Sequence, residues 1–202
     1  MKVLVACEES QRVCLAFREK GHEAYSCDIQ PCSGGHPEWH IQGDAIELLK
    51  IKWDMIIAHP PCTYLSNAGA VRMFPKGKLD KERYVKALKA KEFFMKFLEA
   101  DCPKICVENP MPLSIMNMPK PDCIIQPYEF GEAYSKRTYL WLKGLQPLMP
   151  TTVIVSGIRP WVDSTGGKGR KGQRGIARSQ KERSKTFPGI AKAMAEQWGG
   201  ER

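Results

Sequence analysis

The chain alternates short apolar runs with longer amphipathic stretches, the pattern of strands and helices taken in turn. Lys2 to Ala6 is apolar and β-branched and predicts a first strand. Ser10 to Lys20, with Val13 and Phe17 recurring and Gly21 behind them as a stop, predicts a helix. Glu23 to Cys27 predicts a second strand ending in Asp28, and Gly43-Asp44 precedes a short helical stretch to Lys50. Met55 to Ala58 is uninterrupted and apolar, as expected of a buried strand. The prolines of His59-Pro60-Pro61 stop it, because neither can donate to a ladder and each restrains the residue before it. From Leu79 to Ala100, the apolar residues Tyr84, Ala87, Leu88, Phe94, Met95 and Leu98 predict one long helix with its aromatic stripe in the core. Pro103 to Val107 predicts a strand closing on Glu108-Asn109-Pro110. Thr138 to Leu142 and Thr152 to Val155 predict late strands, and Gly189 to Trp198 a closing amphipathic helix. Alternating elements favour right-handed βαβ units. The expected fold class is therefore α/β, a Rossmann-like, doubly wound, mostly parallel sheet.

A length of 202 residues with 43% apolar content suits one domain spanning 1–202. No run of 18 apolar residues and no charged-then-apolar leader is seen, so a cytoplasmic protein without a membrane segment is expected. The eight cysteines are scattered over strands and loops, which fits free thiols better than a disulfide framework. The net charge of +9 is concentrated: Ser164 to Lys185 holds eight basic residues against the single acid Glu182, among five glycines. Such a segment cannot build a core and reads as a basic loop suited to neutralising phosphates. Within it Lys168, Arg170, Lys171, Arg174 and Arg178 are the candidate nucleic-acid contacts.

Cys62 follows the two prolines and so sits just past a strand end, where open α/β sheets hold ligands and carry out chemistry. Glu108 and Asn109, 46 and 47 residues on, close another buried strand. The pair predicts a thiol nucleophile and a carboxyl facing one crevice.

These residues resemble those of the DNA cytosine-5 methyltransferases, in a compact form like those of phages and prophages. Pro61-Cys62 resembles the family's nucleophile motif and Val107-Glu108-Asn109 its Glu-Asn motif. Ser135-Lys136-Arg137 is similar to the basic motif that helps hold a flipped base, and Lys185 to Met194 to the last motif, which returns to the cofactor pocket. The resemblance implies the class I S-adenosylmethionine-dependent methyltransferase fold, DNA as partner and S-adenosylmethionine as cofactor. Cys62, Glu108 and Arg137 would be catalytic. Cys7, Glu8, Ser10, Asp28, Asp44, Pro60 and Thr186 would lie on the cofactor, and Ser66, Asn67 and Lys136 on the nucleic acid. No metal is implied. In this scheme Glu8 or Glu9 would accept the cofactor's amine, Asp28 its ribose hydroxyls and Asp44 its adenine amino group. Glu108 would be partly protonated through burial, and Arg137 or Lys136 would lower the Cys62 thiol.

Two departures qualify this. The family's glycine-rich turn after the first strand is replaced by Cys7-Glu-Glu-Ser-Gln11, and only Gly144 to Ser184 is available for target recognition, which implies relaxed or short-site specificity. Amino methyltransferases place Asp, Asn or Ser before Pro-Pro and an aromatic after it, where this chain has His59 and Cys62. A zinc nucleobase deaminase would need a cysteine where Leu65 stands. Cys27, Cys32, His36 and His40 do not have a standard zinc spacing. A nucleic-acid-binding protein that kept the fold and lost activity is the non-enzymatic alternative.

Overall fold

The computed structural model describes residues 1–160 and 183–200. Seven strands form one sheet: β1 Lys2–Ala6, β2 Glu23–Asp28, β3 His40–Gln42, β4 Met55–Ala58, β5 Ile105–Pro110, β6 Cys123–Ile125 and β7 Thr138–Lys143. Their order is β3-β2-β1-β4-β5-β7-β6. The pairs from β3 to β5 are parallel, whereas β7 runs antiparallel to both β5 and β6. The architecture is a Rossmann-like, mostly parallel α/β sheet, and its strand order reverses between β1 and β4.

Each central strand is apolar on both sides because helices cover both faces. Alternate residues sort themselves accordingly. Val3, Val5, Met55, Ile57, Cys106 and Leu140 pack on one side with helix α1 (Arg12–Glu19) and the last helix, α4 (Pro188–Gly199), through Val13, Phe17, Ile190, Met194 and Trp198. Leu4, Ala6, Ile56, Ala58, Ile105, Val107 and Trp141 pack on the other side, where α3 (Lys81–Leu98) supplies Ala87, Phe94 and Phe97. Between β4 and α3 lies the single turn α2, Ala70–Met73. Asp80 caps α3 by accepting the Arg83 N–H at 2.9 Å. Gly21, at φ 78°, ends α1 by donating to the Arg18 carbonyl.

Three features differ from expectation. Thr152 to Val155 is not a strand: Thr152 makes one isolated bridge to Phe130, and Val153 and Val155 are 56% and 88% exposed. Local β-propensity there finds no half-buried pleated surface to pack on. A strand does form at Cys123–Ile125, where proline-rich flanks and a length of three residues hide the periodicity. Helix α1 begins at Arg12 rather than Ser10, because Gln11 takes a left-handed conformation at φ 58°.

Candidate active site

Parallel register places Ala6, Cys27, Ala58 and Val107 in one row across β1, β2, β4 and β5. The residues that follow each of them, Cys7, Asp28, His59 and Glu108, therefore share the carboxyl end of the sheet, at and beside the point where strand order reverses. Backbone bonds continue the alignment past the strands. The Glu8 N–H donates to the Cys27 carbonyl at 3.1 Å, and the His59 N–H to Ala6 at 2.9 Å.

The loop after β4 is stitched to the chain leaving β5. Asn67 N–H donates to Met111 (2.8 Å), Leu113 N–H to the Leu65 carbonyl (2.7 Å), and the Asn109 amide to Pro60 (3.5 Å). Ser66 bridges to Pro112, and its hydroxyl accepts the Ala68 N–H. These ties hold the Cys62 loop near Glu108, whose charge raises the Cys62 thiol. Pro60 and Ser66 are buried and Asn67 is exposed.

His59 stands between two acids. Its Nδ1 lies 2.9 Å from Glu108 Oε2, with the two side chains 9% and 13% exposed, and its Nε2 is buried without a hydrogen-bond partner. Burial favours a neutral imidazole, but the hydrogen bond and charge of Glu108, helped by Glu8, outweigh it and raise the His59 pKa. Burial likewise pushes Glu108 up, yet His59 and Lys136 more than offset this, so its carboxyl titrates below the usual range. The expectation of a partly protonated Glu108 is thus reversed, because the neighbouring imidazole outweighs desolvation. The Cys62 thiol is also the reverse of expectation. Lys136 and Arg183 favour the thiolate, but burial dominates and holds the pKa above that of a free thiol.

Lys136 is the cation whose charge reaches Cys62, Glu108 and His59, and its Nζ donates to the Arg183 carbonyl at 3.0 Å. Arg137, the expected catalytic cation, is exposed. Lys168, Arg170, Lys171, Arg174 and Arg178 lie outside the described residues.

On the β1 side, Cys7 and Gln11 adopt left-handed φ of 59° and 58°, so the turn is made without glycine. Gln11 is locked in place: its side chain donates to the His36 carbonyl and accepts from Cys32 Sγ and the His36 N–H. Burial and the nearby Asp28, Cys27 and Asp44 push the Cys7 thiol well up, which places these groups around one another. Asp28 accepts the Gln30 N–H and Asp44 the Ile46 N–H through one carboxylate oxygen each. Ser10 is buried, as is Thr186, whose carbonyl accepts from Arg12 at 2.7 Å beside the start of α1.

Glu8 and Glu9 serve the protein's interior. The two Glu8 oxygens accept the N–H groups of Val13 (2.7 Å) and Cys14 (3.2 Å) at the α1 N-terminus, and burial raises its pKa to about 7. Glu9 accepts the Ser33 hydroxyl. Both carboxylates expected to meet an amine are therefore engaged within the fold. Among the described residues no three His, Cys, Asp or Glu side chains are grouped to hold a metal, and no helix is long and apolar enough to cross a membrane.

In the sequence His59 was weighed only against the polar residue that amino methyltransferases place before Pro-Pro, and Gly34 was not singled out. His59 had a visible signal, since it occupies the first position beyond an apolar strand, as Cys7 does. Gly34 had none: a Cβ there would lie 2.6 Å from Gln11 and 2.7 Å from the Ser10 carbonyl, a contact only folding creates.

No family model matches this chain, and no curated protein matches it. Among solved structures, it is similar to one described as a candidate DNA modification methyltransferase encoded within a prophage of E. coli. The identity is 15% and the TM-score 0.47, over 76% of this chain and 52% of that one. The chain thus spans about half the length of the structure it matches.

Proposed function

We propose that the protein is a DNA cytosine-5 methyltransferase in which Cys62 is the nucleophile and Glu108 serves ring nitrogen 3 of the target base. The observation that carries this reading is the stitching of the Cys62 loop onto the chain leaving β5. It holds a thiol, a carboxylate and the Lys136 ammonium at one sheet edge.

Carbon 5 of cytosine is not nucleophilic until the ring is activated. The Cys62 thiolate adds to carbon 6, the carbon 5–carbon 6 π pair moves toward carbon 4, and the displaced pair on nitrogen 3 takes a proton on the Glu108 side. Carbon 5 then carries enamine electron density and can form a bond to carbon. Return of the nitrogen 3 proton to the Glu108 side, loss of the carbon 5 proton and departure of the thiolate restore the aromatic ring. Lys136 favours the anionic sulfur, and the base must first leave its stack, at a cost of roughly a few kcal/mol.

S-adenosylmethionine would supply the electrophilic methyl, carried on a sulfonium. Asp28 at the end of β2 would take the ribose hydroxyls, and Cys7 and Ser10 in the turn after β1, Pro60 at the start of the loop after β4 and Thr186 beside the start of α1 would line the cofactor. Asp44, whose charge like that of Asp28 acts on Cys7, would take the adenine amino group. Ser66, Asn67 and the basic residues Lys168, Arg170, Lys171, Arg174 and Arg178 would contact DNA.

The test is to incubate the protein with labelled donor and cytosine-containing DNA, digest to nucleosides and measure their mass. A methyl group at cytosine carbon 5, absent with Cys62→Ala, is expected. A methyl group on an exocyclic amine, or retained transfer by Cys62→Ala, would overturn the assignment.

A further inference from the structure

Resting on that reading, we propose that His59 and Glu108 act as one acid: the proton that cytosine nitrogen 3 takes is stored on His59 and delivered through Glu108. An ionised carboxylate can accept a hydrogen bond but has no proton to give. In the free protein Glu108 is held ionised by His59 and Lys136. The acid must then reside next to it, and Nδ1 of His59 is 2.9 Å away.

The groups around His59 favour this role. Glu108 faces it from β5 and Glu8 from the turn after β1, two carboxylates that favour the imidazolium. Lys136, from the segment ahead of β7, opposes them. The buried Nε2 has no partner, so the ring is fixed through one nitrogen only, and Pro60 and Pro61 restrict the backbone behind it.

The proton balance closes. As sulfur bonds to carbon 6, one proton moves from His59 Nδ1 to Glu108 and from Glu108 to nitrogen 3, leaving a neutral imidazole beside a carboxylate. When the thiolate leaves, nitrogen 3 returns that proton along the same path. The dyad ends as it began, and the proton lost overall is the one from carbon 5. No oxidant or further reactant is required.

Exchange of the cytosine carbon 5 hydrogen with water, measured without methyl donor on DNA tritiated at carbon 5, requires sulfur addition and nitrogen 3 protonation, followed by gain of a solvent proton and loss of the tritium at carbon 5, and no methyl transfer. Wild-type protein should show a bell-shaped pH profile with its lower limb ending at the His59 titration and its upper limb set by the Cys62 thiol, which titrates above a free thiol. His59→Gln keeps an amide able to bond Glu108 but carries no transferable proton. It should slow exchange at least ~100-fold and move the lower limb down into the carboxyl range. In parallel, NMR titration of the wild-type His59 ring should show it protonated above the usual histidine range, and Glu108→Gln should lower it; this readout requires no catalysis. Exchange by His59→Gln at the wild-type rate and with the wild-type profile, or a ring neutral throughout pH 5–8, would overturn the proposal. Exchange that is absent in the wild type, or equally fast in Cys62→Ala, would instead remove the underlying methyltransferase reading and this inference with it.

Discussion

His59 Nδ1 and Glu108 Oε2 meet at 2.9 Å although their residues are 49 positions apart, because parallel pairing of β4 with β5 sets both one step beyond the same row. The contact inverts the effect that burial alone would have on each group. A buried pair of this kind stands or falls together. His59→Ala should destabilise the fold by about 3 kcal/mol at neutral pH, since it leaves a carboxylate desolvated and unpaired. The stability Glu108 gains from its depressed pKa is present above the unfolded value of 4.5 and lost as pH falls through the lower folded value. The gap between variant and wild type in urea denaturation should therefore shrink at acid pH; a gap constant with pH would contradict the pairing.

The Cys62 thiol should react with iodoacetamide slowly at neutral pH, with a midpoint above that of a free thiol, because burial outweighs the nearby cations. Lys136→Gln removes a charge that favours the thiolate and should move the midpoint further up. A downward move, or none, would show that Lys136 does not act on this sulfur.

Glu8 gives stability a second pH dependence. Its folded pKa of about 7 lies above the ordinary 4.5, so the folded state holds its proton more tightly than the unfolded chain. The advantage is complete below pH 4.5 and declines as pH rises toward 7, by an amount on the order of 3 kcal/mol. Glu8→Gln should flatten thermal stability across that window, and an unchanged slope would refute the assignment.

Gly34→Ala should loosen the loop that roofs the turn after β1. The added carbon meets the Gln11 side chain and the Ser10 carbonyl well inside contact distance. A loss of about 1–3 kcal/mol is expected, and faster amide exchange at Ser33 and His36 should report that the damage is local. Wild-type stability would show that the loop yields freely.

Much of this fold was legible as periodicity. The four-residue run Met55 to Ala58 is apolar at every position because it lies between two helical layers, and β1, α1 and α3 carry equally plain signals. Thr152 to Val155 carries a similar local signal but pairs only through an isolated bridge to Phe130 with Val153 and Val155 exposed, and a single run cannot reveal whether a full partner strand waits for it. The places of Cys62 and Glu108 at the ends of β4 and β5 were readable because prolines mark both strand ends. The sign of their titration was not readable, since it depends on which side chains stand opposite: His59 for the carboxyl, and hydrocarbon outweighing Lys136 for the thiol. The left-handed turn at Cys7 and Gln11 was hidden for a related reason. Glycine usually announces such a turn, and here Gln11 is held in it by bonds to Cys32 and His36 across 21 and 25 residues.

Covalent capture tests the central claim most directly. Cytosine carrying fluorine at carbon 5 has no proton to lose there, so a methylated adduct cannot release the sulfur. Incubation of wild-type protein with donor and 5-fluorocytosine DNA should give a denaturation-stable complex whose peptide mass places the nucleotide and one methyl group on Cys62. Absence of a complex under conditions where the DNA is bound, or attachment at another residue, would contradict the assignment of Cys62 as the nucleophile.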